Sequence, residues 1–282
     1  MYLWGTLILI VLILLYFYIQ NNILSITKYT PLISTLHPEL KGKKIVFISD
    51  THFRARNSHI FIDRLLIEIE KLDSDLILFG GDIVHKVTGE AVFEETKDFF
   101  MQLGKIAPTY VIFGNHDYAT KRVNKISGVL KNAGVTLLDN ESVWISFEEK
   151  EAGFWLMGLN EYTSTIQNMK DPLAKIKLPK YTENDPKILL AHYPHYFEKY
   201  LVNKEKRPDL VLAGHAHGGQ VILPVIGGLF SPGEGRNPYY DYGLFASKDY
   251  PSSRLILTRG LGNSSFPQRI NNRPEIVLIE FK

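Results

Sequence analysis

The stretch LVLAGHAHGGQ, Leu210 to Gln220, decides how the rest of the chain is read. Four apolar residues of strand character, Leu210 to Ala213, stop at Gly214. His215 and His217 follow on a backbone softened by Gly218 and Gly219. Such a turn lets imidazoles sit at the carboxyl end of a strand while the main chain passes close to something bound there. Neutral imidazole suits Zn, Fe and Mn ions, so two histidines two apart on a Gly-rich turn form a metal-site pattern. The same spacing also fits two satisfied loop histidines. Whether the chain supplies further ligands separates the two readings.

Upstream, apolar runs alternate with helix-like segments. Ile45–Ile48 reads as a strand ending in Ser49, Asp50, Thr51 and His52. From Ile60 to Leu72, apolar residues recur at helical spacing with Glu68, Glu70 and Lys71 off the stripe. A second strand, Leu76–Phe79, ends in Gly80, Gly81 and Asp82. A helix-like stretch from Glu90 to Leu103 then leads to a third strand, Tyr110–Phe113, ending in Gly114, Asn115, His116 and Asp117. In open α/β sheets ligands bind at the carboxyl ends of strands. Asp and Asn also cap helices and start turns, so any one of these ends is explained without a ligand. Three in succession, each delivering Asp, His or Asn at an equivalent place, point to a shared site.

The second half reads as more strand and less helix. Val135–Leu138, Val143–Phe147, Phe154–Leu159 and Ile188–Ala191 look like strands, the last ending in His192. Residues 171–185 are polar and broken by proline, and Arg254–Thr258 and Ile276–Phe281 close the chain as strands. The candidate ligands are Asp50, His52, Asp82, Asn115, His192, His215 and His217, all O or N donors. They suit two half-sites sharing a carboxylate, in which paired divalent ions clamp a phosphoryl group and activate water. The ligand types are compatible with Mn, Fe or Zn.

With 282 residues the chain has ample length for a core, and its net charge of +2 implies no polyanionic partner. The absence of cysteine excludes disulfides, thiolate zinc sites and a Cys nucleophile. Residues 1–22 contain an uncharged run, YLWGTLILIVLILLYFYIQ, with Tyr2 and Trp4 at one end and Tyr16 and Tyr18 at the other. About 20 residues cross a hydrocarbon core, and no basic n-region or small-residue cleavage pattern marks a signal peptide. A single-pass membrane anchor is expected. Lys28, Lys41, Lys43 and Lys44 after the span lean the catalytic part towards the cytoplasm. Residues 23–42 read as a linker or a short edge hairpin, and residues 43–282 as the catalytic domain.

The order Asp-x-His, Gly-Asp, Gly-Asn-His-Asp, a lone His and Gly-His-x-His resembles the calcineurin-like metallophosphoesterase superfamily, from about Lys43 to the C-terminus. GHAHGGQ, with Arg259–Ser264 and Asn272–Glu275, further resembles its bacterial membrane-associated branch. The resemblance implies a four-layer αββα sandwich with a dimetal site at the strand ends. It implies Asp50, His52 and His217 on one ion, Asn115, His192 and His215 on the other, and Asp82 bridging. It implies a metal-bridging hydroxide as nucleophile and His116 as general acid. Related phosphatases carry an acidic residue three positions after Gly-Asp to orient that histidine, and here the position is His85. Asp117 or a water is the expected substitute, unless proton donation is weak.

The substrates implied are phosphodiesters, phosphomonoesters or pyrophosphates, with a lipid-linked molecule suiting the anchor. A non-catalytic scaffold would be expected to lose ligands, and a nuclease would need clustered positive charge; neither pattern is present. Arg236 and Arg259 are candidate substrate contacts, as are Arg54, Arg56 and Arg269, although surface solvation explains any one of them. The Gly/Pro-rich segment 224–243 reads as a connector or a loop meeting lipid. Gly218 and Gly219 are expected to keep side chains off the face where phosphate enters.

Overall fold

The computed structural model describes residues 2–54, 59–86, 89–147, 152–161, 168–263 and 266–282. Helix α1 (Tyr2–Asn22) has no charged residue in either its first or its last turn and is exposed from Trp4 through Leu15. A helix that is apolar all round and unpacked over this length belongs in a membrane. Its last turn and a half docks on the domain.

Two six-stranded mixed sheets face each other. The first contains β1 (Ser25–Tyr29), β2 (Lys44–Ile48), β3 (Leu76–Phe79), β4 (Thr109–Val111), β5 (Thr136–Leu137) and β16 (Glu275–Glu280). Its spatial order is β1-β16-β2-β3-β4-β5, with β2 to β5 parallel. The second contains β6 (Glu141–Ser146), β7 (Gly153–Gly158), β8 (Lys187–Leu190), β9 (Leu210–Ala213), β14 (Gly243–Ala246) and β15 (Arg254–Leu257). Here β7, β8, β9 and β15 are parallel, and β6 and β14 are antiparallel edges.

The apolar runs fill both faces of each sheet, as expected for strands buried on two sides. Phe47, Leu78 and Val277 of the first sheet meet Leu156, Leu190 and Leu212 of the second in the central core. On the outer face of the first sheet lie α2 (His59–Lys71), α3 (Ala91–Ile106), the short α4 (Asn115–Ala119) and α5 (Val123–Asn132). Helix α3 buries Val92, Phe93, Thr96, Phe99, Phe100 and Leu103, a stripe at three- and four-residue spacing. The outer face of the second sheet is covered more thinly, by a 3-10 turn, a four-residue helix at Phe197–Tyr200 and packed loops around Leu173 and Ile176.

Three differences from the sequence reading follow. Residues 23–42 contribute neither a free linker nor a hairpin, because Ser25–Tyr29 extends the first sheet in parallel with β16. Segment 224–243 is not one open loop: around it form β10 (Ile222–Leu223) with β11 (Gly227–Gly228), and β12 (Phe230–Ser231) with β13 (Gly235–Arg236). The edge strand β14 has alternating exposure and only four residues, too short a pattern to register.

Candidate metal centre

Each expected ligand lies just beyond a strand: Asp50 and His52 after β2, Asp82 after β3, Asn115 at the start of α4, His192 after β8, His215 and His217 after β9. Five of them, Asp50, His52, Asp82, His215 and His217, have positive φ, between 47° and 70°. Left-handed backbone in non-glycine residues is unfavourable and persists where the surroundings enforce it, commonly at functional sites. Gly214 permits the approach of the two sheets here, since a Cβ on it would strike the Ser49 hydroxyl and the Asp50 carboxylate.

The donors converge in buried space. Three groups each place one donor atom per residue within 4.8 Å of the others: Asp50, His52 and His217; His52, Asp82 and His116; Asp82, His192 and His215. Nε2 of His52 lies 3.0 Å from Nε2 of His217, and Asp50 Oδ1 lies 3.6 Å from the latter. Asp82 Oδ2 sits 3.5 Å from His52 Nε2 and 3.4 Å from His192 Nε2, so one oxygen faces both clusters. Asn115 Oδ1 is 3.1 Å from His192 Nε2.

Surrounding groups fix these orientations, as ligand-supporting contacts do in metal sites. The His192 Nδ1 is 2.8 Å from the Gly80 carbonyl, which leaves Nε2 for the cluster. Both Asp50 oxygens accept from the His215 N–H, and Asp82 Oδ1 accepts from the His116 N–H at 2.7 Å. Asn272 donates through Nδ2 to the carbonyls of His217 and Gln220, holding the turn that carries the last histidine.

Burial works against every charge in the site, yet the charges divide. It opposes ionisation of Asp82, but His192, His52 and His116 hold that carboxyl well below its usual range. Burial, with the Asp82 charge adding to it, pushes Asp50 up to about 6. Burial would also discharge His192, but Asp82, Asp50 and the Gly80 carbonyl hold it at about 10. His52 and His215 are driven well below the usual imidazole value, chiefly by burial, and His217 is driven to about 3. Among the described residues, two buried carboxylates meet five imidazoles and form ion pairs only with histidines, a donor set suited to cations. His52 and His217 also bury an Nδ1 that has no hydrogen-bond partner. The residues therefore fit a pair of divalent ions, whose binding would displace the proton held on His192.

A cavity of about 690 Å³ opens over the centre, lined by Lys86, Asn115, His116, Tyr193, His195 and His215 among others. His116 packs edge-on against His52, with ring centroids 4.6 Å apart, and its Nδ1 accepts from the Lys86 N–H at 3.4 Å. Burial and the nearby cations lower its pKa.

Several expectations need correction. Asp117 does not orient His116: its carboxylate accepts from the N–H groups of Gly114, Ile83 and Val84 at 2.9, 3.2 and 3.0 Å. Arg259 does not line this cavity: its guanidinium is held by Glu275 at 2.9 Å and by Ser25 and Thr27, contacts that tie β16 and β1 to the residues after β15. Arg269 is neither solvated nor a phosphate contact; fully buried, it donates to Asn263 and to the carbonyls of Arg259, Gly260, Gly262 and Asn272. Arg236 is exposed on β13 and does not line the cavity. Arg56 falls outside the described residues. Gly218 and Gly219 do not clear the substrate face. A Cβ on the first would meet Asn272 and Arg259, and on the second the backbone of Gly228.

Sequence reasoning missed Glu161. This buried carboxylate accepts from the N–H groups of His192 and Tyr193 and from the Tyr200 hydroxyl, and burial pushes it up to about 7. An acid just past the end of β7 is the same strand-end signal that marked Asp50 and Asp82. His195, in the cavity wall with Nδ1 buried and unpartnered, also escaped notice.

Residues 43–219 match the calcineurin-like phosphoesterase family. The chain is 34% identical over 241 residues to the phosphodiesterase YaeI of Escherichia coli (strain K12), covering 84% of this chain and 81% of that one. It is 26% identical over 275 residues to the uncharacterized metallophosphoesterase YkuE of Bacillus subtilis (strain 168), covering 94% and 88%. It is 27% identical over 259 residues to a transmembrane protein with metallophosphoesterase domain from Danio rerio, covering 89% of this chain and 55% of that one. With two donor clusters on an α/β sandwich behind an apolar helix, this chain belongs to the calcineurin-like phosphoesterase family, as a membrane-anchored metal-dependent hydrolase.

Proposed function

We propose that the chain hydrolyses a phosphodiester or pyrophosphate in a lipid-linked substrate, with residues 43–282, extended by strand β1, as the catalytic domain. Asp50, His52 and His217 would hold one ion, Asn115, His192 and His215 the other, and Asp82 both. The observation that carries this reading is Asp82 Oδ2, which lies 3.5 and 3.4 Å from histidines of the two clusters. Paired ions held there would polarise a phosphoryl oxygen as Lewis acids and lower the pKa of bound water towards neutrality. The chain's own residues do the rest. In the resting neutral ring His116 accepts from the Lys86 N–H at Nδ1, which places its proton on Nε2; on protonation to the imidazolium, with that contact given up, it can pass the Nε2 proton to the leaving oxygen and return to the neutral ring. Lys86 on the cavity wall supplies a cation for a phosphate oxygen.

Support for a lipid-linked substrate comes from a second cavity of about 220 Å³. It is lined by Asn21 and Asn22 at the end of α1, by Phe61 and Ile62, and by Arg54 and His52. Its lining mixes Phe53, Phe61, Ile62 and Leu261 with polar groups beside the end of α1, and an arginine and a candidate ligand share it, which suits a phosphate carried on an acyl or prenyl chain. The lysines that follow the span support a cytoplasmic site. The test compares aryl monoesters, aryl diesters and lipid pyrophosphates in mixed micelles, using the full chain with Mn²⁺. Preference for the lipid substrates supports the reading; equal turnover of water-soluble and lipid diesters would leave the cavity without that role.

A further inference from the structure

We infer that the β10–β11 hairpin is a second membrane contact, seating its apolar tip in the bilayer beside α1. The inference rests on α1 lying in a membrane. Tyr16 and Tyr18 mark the aromatic end of the apolar run, the level at which such rings sit in the headgroup region. At that level the domain is already attached. The Tyr16 hydroxyl bonds Asn271 at 2.9 Å, one turn above Gln20, whose side chain accepts from the Asn272 N–H.

The hairpin grows from the same place. Asn271 Nδ2 donates to the Ile222 carbonyl at 3.1 Å, and the Ile222 N–H donates to the Ile270 carbonyl at 3.0 Å. One residue, Asn271, thus joins the interfacial part of α1 to β10. Three and four residues further along the chain, a reach of about 10 Å, stand Val225 and Ile226. Val225 is fully exposed and Ile226 is 60% exposed. Phe266, half-exposed, is attached to the same base, for its carbonyl accepts from Gln220, while Asn21 bonds the carbonyl of the next residue, Pro267.

The tip carries two disadvantages in water. Its apolar side chains have no cover, and Val225 has φ +72°, a region that β-branched residues almost never occupy. Turns needing positive φ normally use Gly or Asn. A polar turn would relieve both disadvantages; a lipid surface relieves the first while using the side chains that cause it. The occupant is a bilayer rather than a protein because the hairpin is continuous with the segment that holds the membrane helix.

The full chain contains no cysteine, so single cysteines can carry an environment-sensitive fluorophore. Val225→Cys and Ile226→Cys are labelled in the full-length protein in phosphatidylcholine–phosphatidylglycerol vesicles, with nitroxide-bearing lipids as quenchers. Leu9→Cys reports the anchor. Tyr181→Cys, 89% exposed beside the amino end of β8, reports the aqueous side. Labels at 225 and 226 are expected to show at least about threefold more quenching than at 181, at the shallow depth of interfacial groups. Quenching at 9 with none at 225 or 226 overturns the hairpin contact while leaving the anchor in place. No quenching at 9 removes the anchor and the proposal with it. Protection at 225 that appears only as protein density rises identifies a second copy as the occupant and also overturns the proposal.

Discussion

Asp117 separates two accounts of how His116 is held. If the carboxylate tuned the histidine, its loss would weaken proton donation and spare the fold. The structure assigns it instead to three buried N–H groups, with Oδ2 accepting from Gly114 and Ile83 and Oδ1 from Val84. In Asp117→Asn the carbonyl oxygen can keep the Gly114 and Ile83 bonds, while the amide faces the Val84 N–H and leaves it unpaired. One unsatisfied buried N–H costs about 1–3 kcal/mol. Asp117→Ala leaves all three unpaired, so its loss should be roughly three times larger, a large part of a typical total stability of about 5–15 kcal/mol. Urea unfolding of the detergent-solubilised full chain, followed through Trp144 and Trp155, measures both. Turnover of aryl phosphodiesters with good and poor leaving groups should fall by the same factor in Asp117→Asn. An unchanged unfolding midpoint, with loss confined to poor leaving groups, would refute the assignment and restore Asp117 as the partner of His116.

Other outcomes follow from the same geometry. Glu161 is raised from its ordinary value near 4.5 to about 7 by burial, so the folded state keeps a proton that the unfolded chain has released. Stability in chelator should therefore fall as pH rises through that window, by on the order of 3 kcal/mol at 1.36 kcal/mol per pKa unit. Glu161→Gln should flatten that share of the slope, as read by unfolding at pH 5 and pH 8. Asn272→Ala removes the grip on the His217 and Gln220 carbonyls, and should weaken metal binding by about 10–100-fold, measured by chelator competition. Gly219→Val, through its clash with Gly228 at positive φ, should lower the melting temperature rather than only raise KM. His215→Ala and His217→Ala should each reduce bound metal from two ions to one, by elemental analysis, because each leaves the other cluster in place.

Much of the centre was legible because four-residue apolar runs ended in Asp, His or Asn, and those ends lie together at the carboxyl edges of two parallel strand sets. The supporting contacts were not. Arg269 is of a residue type usual at the surface, and the convergence of four carbonyls and the Asn263 side chain makes its burial tolerable. Strand β1, SITKY, offers a short pattern interrupted by Lys28, and its identity comes from pairing with β16, distant in the chain. Asp117 adjoins His116 in sequence, yet the helical start at Asn115 turns its carboxylate back onto the Gly114 N–H. Proximity along the chain misled there because a helix cap outcompeted the side-chain partner.

The central claim is that one carboxylate, Asp82, joins two ions into a single hydrolytic centre. The most direct measurement is bound metal and aryl phosphodiesterase activity on the same purified full-length samples of wild type and Asp82→Ala. Wild type should carry two divalent ions and turn over. The variant should lose ions and fall by more than the roughly 100-fold expected for an outer contact. Two ions retained with activity intact in Asp82→Ala would contradict the claim.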